Sequence, residues 1–208
     1  MELARIILNP ADRHARQDLA DPYELHSSLA RAFATPYGAA PARWLWRQEP
    51  LRDGELPQVL VQSPQAGDWQ TLQAAKPGWA QRIDTRAWHP GQVLRAGLGL
   101  RFRLRANPCI TQQGKRRALL QRDEQLAWLA RQLGRHGYVP LQADVVESGK
   151  LMGQRRKGGA AQVTVHAVLF EGDVRVADPA AAEQAIASGL GHAKMMGLGL
   201  MSVAPTAT

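Results

Sequence analysis

Two successive passes of strand, helix, paired strands, helix and strand run along the 208-residue chain, and an Asp-Pro pair opens a helix in each pass. That order predicts an α+β protein built from two tandem ferredoxin-like (RRM-like, βαββαβ) domains. No sequence repeat links the halves, so the repetition is one of architecture. The proline and glycines of "WHPGQVLRAG" mark a junction near Pro90. The expected domains are therefore 1–90 and 91–208.

Leu3 to Leu8 reads as the first strand. In "DPYELHSSLARAF", Asp21 can accept from free helix amides, Pro22 presets φ at the first helical position, and Glu24 stands at a capping-box position. Leu25, Leu29, Ala32 and Phe33 form the apolar stripe of this helix. His26 falls on the shoulder of the stripe, with Tyr23 one turn earlier on the same side. Trp44 to Trp46 and Val59 to Gln62 read as strands around the turn-rich "PLRDGELP", and Asp68 to Ala74 as a short helix or turn. In the second half "GLRFRLRANP" is a strand and Arg122 to Leu133 an amphipathic helix. Val163 to Phe170 is a strand, with Glu171 to Ala177 its hairpin partner across Gly172. Asp178 and Pro179 start an alanine-rich helix that stops at Gly189 with a left-handed cap, and Leu198 to Val203 is the last strand.

Lysine and arginine number 26 against 18 acidic residues, a formal charge of +8, with 45% hydrophobic residues. Such a chain buries a sizeable core and attracts polyanions, nucleic acid first, by releasing their counterions. No apolar run approaches the roughly 20 residues that span a bilayer, and "MELARIILNP" lacks the apolar core of a signal peptide. A cytoplasmic protein without a membrane partner is expected. Cys109 is the only cysteine, which excludes an internal disulfide and the usual thiolate zinc sites.

Strand alternation puts Arg101, Arg103 and Arg105 on one face of "RFRLRANP", opposite Phe102, Leu104 and Ala106. Lys115, Arg116 and Arg117 follow, so residues 101–117 hold six basic side chains and no acidic one. This ridge suits phosphate or guanine edges, or is an ordinary solvated sheet face. Lys150, Arg155, Arg156 and Lys157 form a second cluster in "GKLMGQRRKGGA", read as a mobile glycine-rich hairpin or helix start. "GLGHAKMMGLGL" sets Gly189, Gly191, Gly197 and Gly199 around Lys194, as a helix stop with a tight turn or as a phosphate cradle of free amides. It is not a dinucleotide fingerprint, because it leaves a helix and enters a strand.

His26 is the best candidate for moving protons at neutral pH, with Tyr23 a hydrogen-bond donor to a charged oxygen. The other histidines, at positions 14, 89, 136, 166 and 192, have no metal-ligand spacing, so no metal and no small-molecule cofactor is expected. His166 reads as a sheet residue. The six tryptophans read as core rather than as base-stacking platforms, since no segment matches the aromatic RNP signature.

Taken together, "ILNPADRHARQDLADPYELHSSL", "RFRLRANP", "LAWLARQL", "VLFEG" and "GLGHAKMMGLGLMSVAP" resemble the CasE family, the CRISPR repeat-processing endoribonucleases of type I-E systems. The blocks come in the family's order and cover essentially the whole chain. The resemblance implies recognition of the CRISPR repeat RNA hairpin, in precursor and mature crRNA, with cleavage at its 3′ base. It also implies retention of the product as a subunit of the Cascade complex, beside other Cascade subunits. By the same resemblance the catalytic histidine is His26 and its tyrosine neighbour Tyr23. Arg31 stands for an assisting lysine, Ala34 replaces a serine of some members, and His192 receives no catalytic role. Metal-free cutting would use the RNA's own 2′-hydroxyl and leave a 2′,3′-cyclic phosphate and a 5′-hydroxyl. The alternative is a non-catalytic structured-RNA-binding subunit with an idle His26.

Overall fold

The computed structural model describes residues 1–35, 43–155 and 161–206. The chain divides into two compact units. One comprises Met1–Trp88 with Met152–Val163 and Met195–Gly197, the other His89–Leu151, Thr164–Lys194 and Leu198–Thr208.

The first unit runs β1 (Glu2–Leu8), α1 (Arg13–Ala20), α2 (Pro22–Leu29), a 3-10 turn (Ala30–Phe33), β2 (Leu45–Gln48), β3 (Gln58–Ser63), α3 (Trp69–Ala75) and β4 (Ala80–Ala87). Its antiparallel sheet has the order β2-β3-β1-β4. Alternation along β1 buries Ala4, Ile6 and Leu8, which meet Val59 and Val61 of β3 and Leu25 and Leu29 of α2 in one core. A polar clamp ties the helices together: buried Asp18 of α1 accepts from Lys76 Nζ at 2.9 Å and from Trp79 Nε1 at 2.7 Å, and Lys76 also bonds Ser28 of α2.

The second unit runs β5 (Gly99–Ala106), a two-stranded hairpin of β6 (Cys109–Gln112) and β7 (Lys115–Ala118), α4 (Arg122–Arg135), β8 (Tyr138–Arg155), β9 (Ala161–Val176), α5 (Pro179–Ser188) and β10 (Met201–Pro205), except that the end of β8 from Met152 and the start of β9 to Val163 belong to the first unit. The order β10-β5-β9-β8 again places the fourth main strand beside the first, then the third and the second. Two antiparallel sheets with this shared order, each with its helices, make the protein α+β with tandem ferredoxin-like domains. No helix among the described residues is long and apolar enough to cross a membrane.

Several local expectations change. Gly172 turns no hairpin: β9 runs unbroken through it, and the hairpin partner of β9 is the long β8. The glycine serves close approach instead, since a Cβ there would run into the Gln142 carbonyl oxygen and lie 2.7 Å from Ala143 Cα. Lys150 and Arg155 lie within β8, an arm of its hairpin with β9, so the cluster is a hairpin and not a helix start, while Arg156 and Lys157 fall outside the described residues. Gly189 does end α5 with a positive φ of 71°, but its ψ of 156° is extended, so the cap is not left-handed helical. The last strand starts at Met201 and not at Leu198, and Trp44 precedes β2. α1 and β4 carry no clear sequence signal, because α1 buries only Ala15 and Asp18 and β4 buries no residue fully.

Gly172→Ala should lower unfolding stability by about 2 kcal/mol or more, the cost of overpacking against backbone that has little room to yield. Urea melts of the two proteins measure it; equal midpoints would show that β8 can move aside.

Candidate functional site

The local chemistry of α2 sets His26. Asp21 ends α1 through its own N–H, bonded to the Gln17 carbonyl, and its Oδ1 accepts from Tyr23 N at 2.9 Å to start α2. The same carboxylate accepts from Gln154 N at 3.0 Å, so the N-terminus of α2 is tied to the far end of β8. Tyr23 lies against that strand: a Cβ on Gly153 would come within 2.8 Å of the Tyr23 ring. Tyr23 and His26 are both half-buried, as their shared side of the helix predicts, and Arg31, on the turn after α2, is exposed. The His26 imidazole stacks on Trp44 with ring centroids 4.6 Å apart. Its Nδ1 is buried and makes no hydrogen bond among the described residues. Burial lowers the His26 pKa from its ordinary value, so the ring is neutral near pH 7.

In the second unit the arginine ridge is not the uninterrupted cationic surface its own segment suggests. Arg103 pairs with Glu171, directly opposite on β9, with Nε donating at 2.6 Å, and Arg101 faces Asp173 at 3.8 Å. Arg105 faces Leu169 and has no carboxylate opposite. Lys115, Arg116 and Arg117 stand exposed on β7, with Arg117 within 3.5 Å of Glu124.

The glycine-rich run ends beside β5. Gly199 N donates to the Arg105 carbonyl at 2.7 Å, and Leu190 N to the Gly199 carbonyl at 2.9 Å. Those amides, and that of Gly189 bonded to Ala185, are committed to the protein, which takes the two ends of the run out of any cradle of free amides. The glycines answer to backbone geometry. Gly191, Gly197 and Gly199 have φ of 79°, 75° and 96°, and a Cβ on Gly197 would lie 2.7 Å from the Trp46 ring. Lys194 folds back to donate to the Gly191 carbonyl at 3.1 Å. Burial first, then the charges of Arg116 and Lys194, lower the pKa of His192, which places the β6–β7 hairpin and the glycine run in one cationic neighbourhood. His136 is lowered by burial and then by Arg135 and Lys194. His166 sits in β9 with Nε2 2.8 Å from Ser148 Oγ. Among the described residues no three His, Cys, Asp or Glu side chains converge as a metal site would require.

The structure thus groups His26 and Tyr23 on one helix and Arg105, Arg116, Lys194, Gly189, Gly191 and Gly199 in the second unit, while Gly197 belongs to the first. Sequence reasoning missed Trp44, which lies 18 positions beyond His26 and meets it only through the fold. It also missed Glu171 and Asp173, whose places opposite the arginines depend on strand register.

Fold and site define a tandem ferredoxin-like protein with one sequestered imidazole and a cation-lined loop region, a surface suited to a polyanion. The chain belongs to the family of CRISPR associated proteins, whose model matches residues 1–205. It is 41% identical to the CRISPR-associated endoribonuclease Cse3 of Thermus thermophilus, across 99% of this chain and all of that one. It is 32% identical to the CRISPR system Cascade subunit CasE of Escherichia coli, again across 99% of this chain and all of the relative. Thermus thermophilus Cse3 bound to an RNA representing a pre-cleavage complex superimposes with a TM-score of 0.88 at 41% identity, covering 98% of each chain.

A histidine whose folded pKa is lowered binds its proton less readily than in the unfolded chain, so its contribution is complete above about pH 6.5 and is lost as pH falls through the folded pKa. Asp68, Asp84 and Asp144, held below their ordinary value chiefly by Thr71, Arg5 and Arg122 respectively, lose theirs only nearer pH 4. The urea midpoint should therefore be lower at pH 5.5 than at pH 7.5, and His26→Gln should shrink that difference. An unchanged difference would contradict a burial-lowered His26.

Proposed function

We propose that this chain is an endoribonuclease that binds the hairpin of CRISPR repeat RNA, cleaves the precursor at the 3′ base of that hairpin and stays on the mature crRNA as a Cascade subunit. The family membership and the two full-length relatives, one named an endoribonuclease and one a Cascade subunit, support this reading. The observation that carries the chemistry is His26, neutral near pH 7 with Nδ1 sealed in the protein; on this reading Nε2 is the ring nitrogen that meets the substrate.

The reaction follows from what a neutral imidazole can do. Nε2 accepts the proton of the ribose 2′-hydroxyl, the 2′-oxygen attacks the adjacent phosphorus, and the bond to the 5′-oxygen breaks as that oxygen takes a proton from water, the imidazolium afterwards returning its own proton to the solvent. The products are a 2′,3′-cyclic phosphate and a 5′-hydroxyl, and no metal or small-molecule cofactor is required. Tyr23 and Arg31 steady the phosphate as charge builds on its oxygens. Arg101, Arg103, Arg105, Lys115, Arg116, Arg117, Lys150, Arg155, Arg156, Lys157 and Lys194 supply the cationic surface for the RNA, with Gly189, Gly191, Gly197 and Gly199 shaping the loop. Of these, Arg105, Lys115, Arg116, Lys150, Arg155 and Lys194 have no acidic partner among the described residues. An N-terminal domain of 1–90 with the catalytic histidine, an RNA-binding domain of 91–208 and a cytoplasmic location complete the proposal.

Incubation with the CRISPR repeat RNA of the same genome tests it. The wild type should cut equally with and without chelator and leave the ends named above, and a 2′-deoxy nucleotide at the scissile position should abolish cutting. His26→Ala should lose about 10²- to 10⁴-fold in single-turnover rate while binding the hairpin normally. A His26→Ala protein that cuts at the wild-type rate rejects the role of His26, and absence of cutting by both proteins favours a purely RNA-binding subunit.

The cross-strand pairing makes a separate prediction. Glu171→Gln removes the carboxylate that Arg103 meets across the strands, so hairpin affinity should rise several-fold and the salt dependence of binding should steepen by about one ionic contact. Filter binding across a salt series reads both, and an unchanged slope would place Arg103 off the RNA path.

A further inference from the structure

His26 stands at the end of a column of rings within the first unit. Its imidazole lies 4.6 Å from Trp44 with the planes 15° apart, and Trp44 in turn stacks on Phe33 at 5.0 Å and 20°. Phe33 meets Trp69 edge-on at 5.5 Å and 87°. The far end is anchored on β1: Glu2 Oε1 accepts from Trp69 Nε1 and from Gly67 N, each at 3.0 Å. Gly67 allows that fit, since a Cβ there would lie 2.7 Å from the Trp69 ring.

Catalysis by an imidazole requires one particular nitrogen at the reacting atom. The ring is ordinarily held by a hydrogen bond from its other nitrogen to a carboxylate or carbonyl. His26 has no such holder among the described residues, because Nδ1 is buried without a partner. The cap at Asp21 fixes the backbone of α2 but leaves the side-chain torsions of His26 undetermined. The flat face of Trp44, itself backed by two further rings, is the contact that restricts them, since stacked aromatic faces favour a defined plane and spacing.

We propose that Trp44 is the positioning residue for His26, its indole face replacing the hydrogen-bonded partner and presenting Nε2 to the scissile nucleotide. This rests on the reading of His26 as the proton carrier. Trp44 touches no reacting atom and acts through the ring it holds. The same packing keeps water from the imidazole, and burial is what lowers the pKa of His26. The ionisable groups on the surrounding elements are Asp21, Tyr23 and Glu24 on or capping α2, Arg31 on the next turn, Arg43 beside Trp44 and Arg155 at the end of β8.

The test compares Trp44→Leu, which keeps apolar bulk without a flat face, with Trp44→Phe, which keeps the face. Trp44→Leu should cut the CRISPR repeat RNA roughly 10- to 100-fold more slowly in single turnover, as expected for a misplaced catalytic group. Its affinity for the uncleavable 2′-deoxy hairpin should stay at the wild-type value. The acid limb of its rate profile should move to higher pH, because an imidazole more open to water protonates more readily and a protonated ring cannot accept the 2′-hydroxyl proton. Trp44→Phe should retain most of the rate, and nuclear magnetic resonance titration of the His26 ring should follow the acid limb in each protein. If Trp44→Leu does not fold, Phe33→Leu carries the test, since it removes the backing of the indole without touching His26 and should move rate and acid limb the same way to a smaller extent.

A Trp44→Leu protein with wild-type rate and acid limb overturns the proposal, as does one whose hairpin affinity falls in step with its rate. His26→Ala cutting at full rate would instead overturn the underlying assignment, so the two failures are distinguishable.

Discussion

The carboxylate of Asp21 is the contact on which α2 depends. Its residue closes α1 through the backbone and opens α2 through the side chain, and it holds Gln154 at the end of β8. A helix N-terminus leaves its first amides without partners, and one side-chain carboxyl group meets that need while binding a third piece of backbone. Everything on α2 inherits its position from this point. Leu25 and Leu29 turn into the core, Ser28 reaches the clamp of Asp18 and Lys76, and Tyr23 and His26 come to the half-exposed side.

Around that frame the protein handles charge differently in its two units. In the first, the imidazole is set among rings, where a neutral form is favoured because water is scarce. In the second, cations are dense but partly compensated. Glu171 and Asp173 meet Arg103 and Arg101 across β5 and β9, which stabilises the sheet locally and leaves Arg105 and the β7 side chains to act at longer range. A chain of net charge +8 would otherwise place like charges on adjacent positions of one strand face with nothing to offset them.

Local physics made much of this legible from the residues alone. Asp21 and Pro22, and again Asp178 and Pro179, announce helix starts because capping involves neighbours only. The alternation in "RFRLRANP" announced which face of β5 is buried, and Phe102, Leu104 and Ala106 are indeed inside. Where local signals were weak or ambiguous, the expectation failed. Gly172 looks like a turn but is a glycine because the Gln142 carbonyl of the neighbouring strand leaves no room for a side chain. α1 and β4 left no stripe because their burial is slight.

The sequence by itself determined the two-fold repetition of α+β modules, the placing of His26 and Tyr23 on one side of a capped helix, and an excess of positive charge. These follow from spacing along the chain, which sets what shares a face of a helix or strand. Only the tertiary structure decided that Trp44 would stack on His26 and that carboxylates from β9 would meet the arginines of β5. It also decided that the amides of Gly189, Leu190 and Gly199 would be spent on the protein's own carbonyls. Each of these contacts joins residues that strand register and packing bring together, and no short-range pattern encodes such pairings.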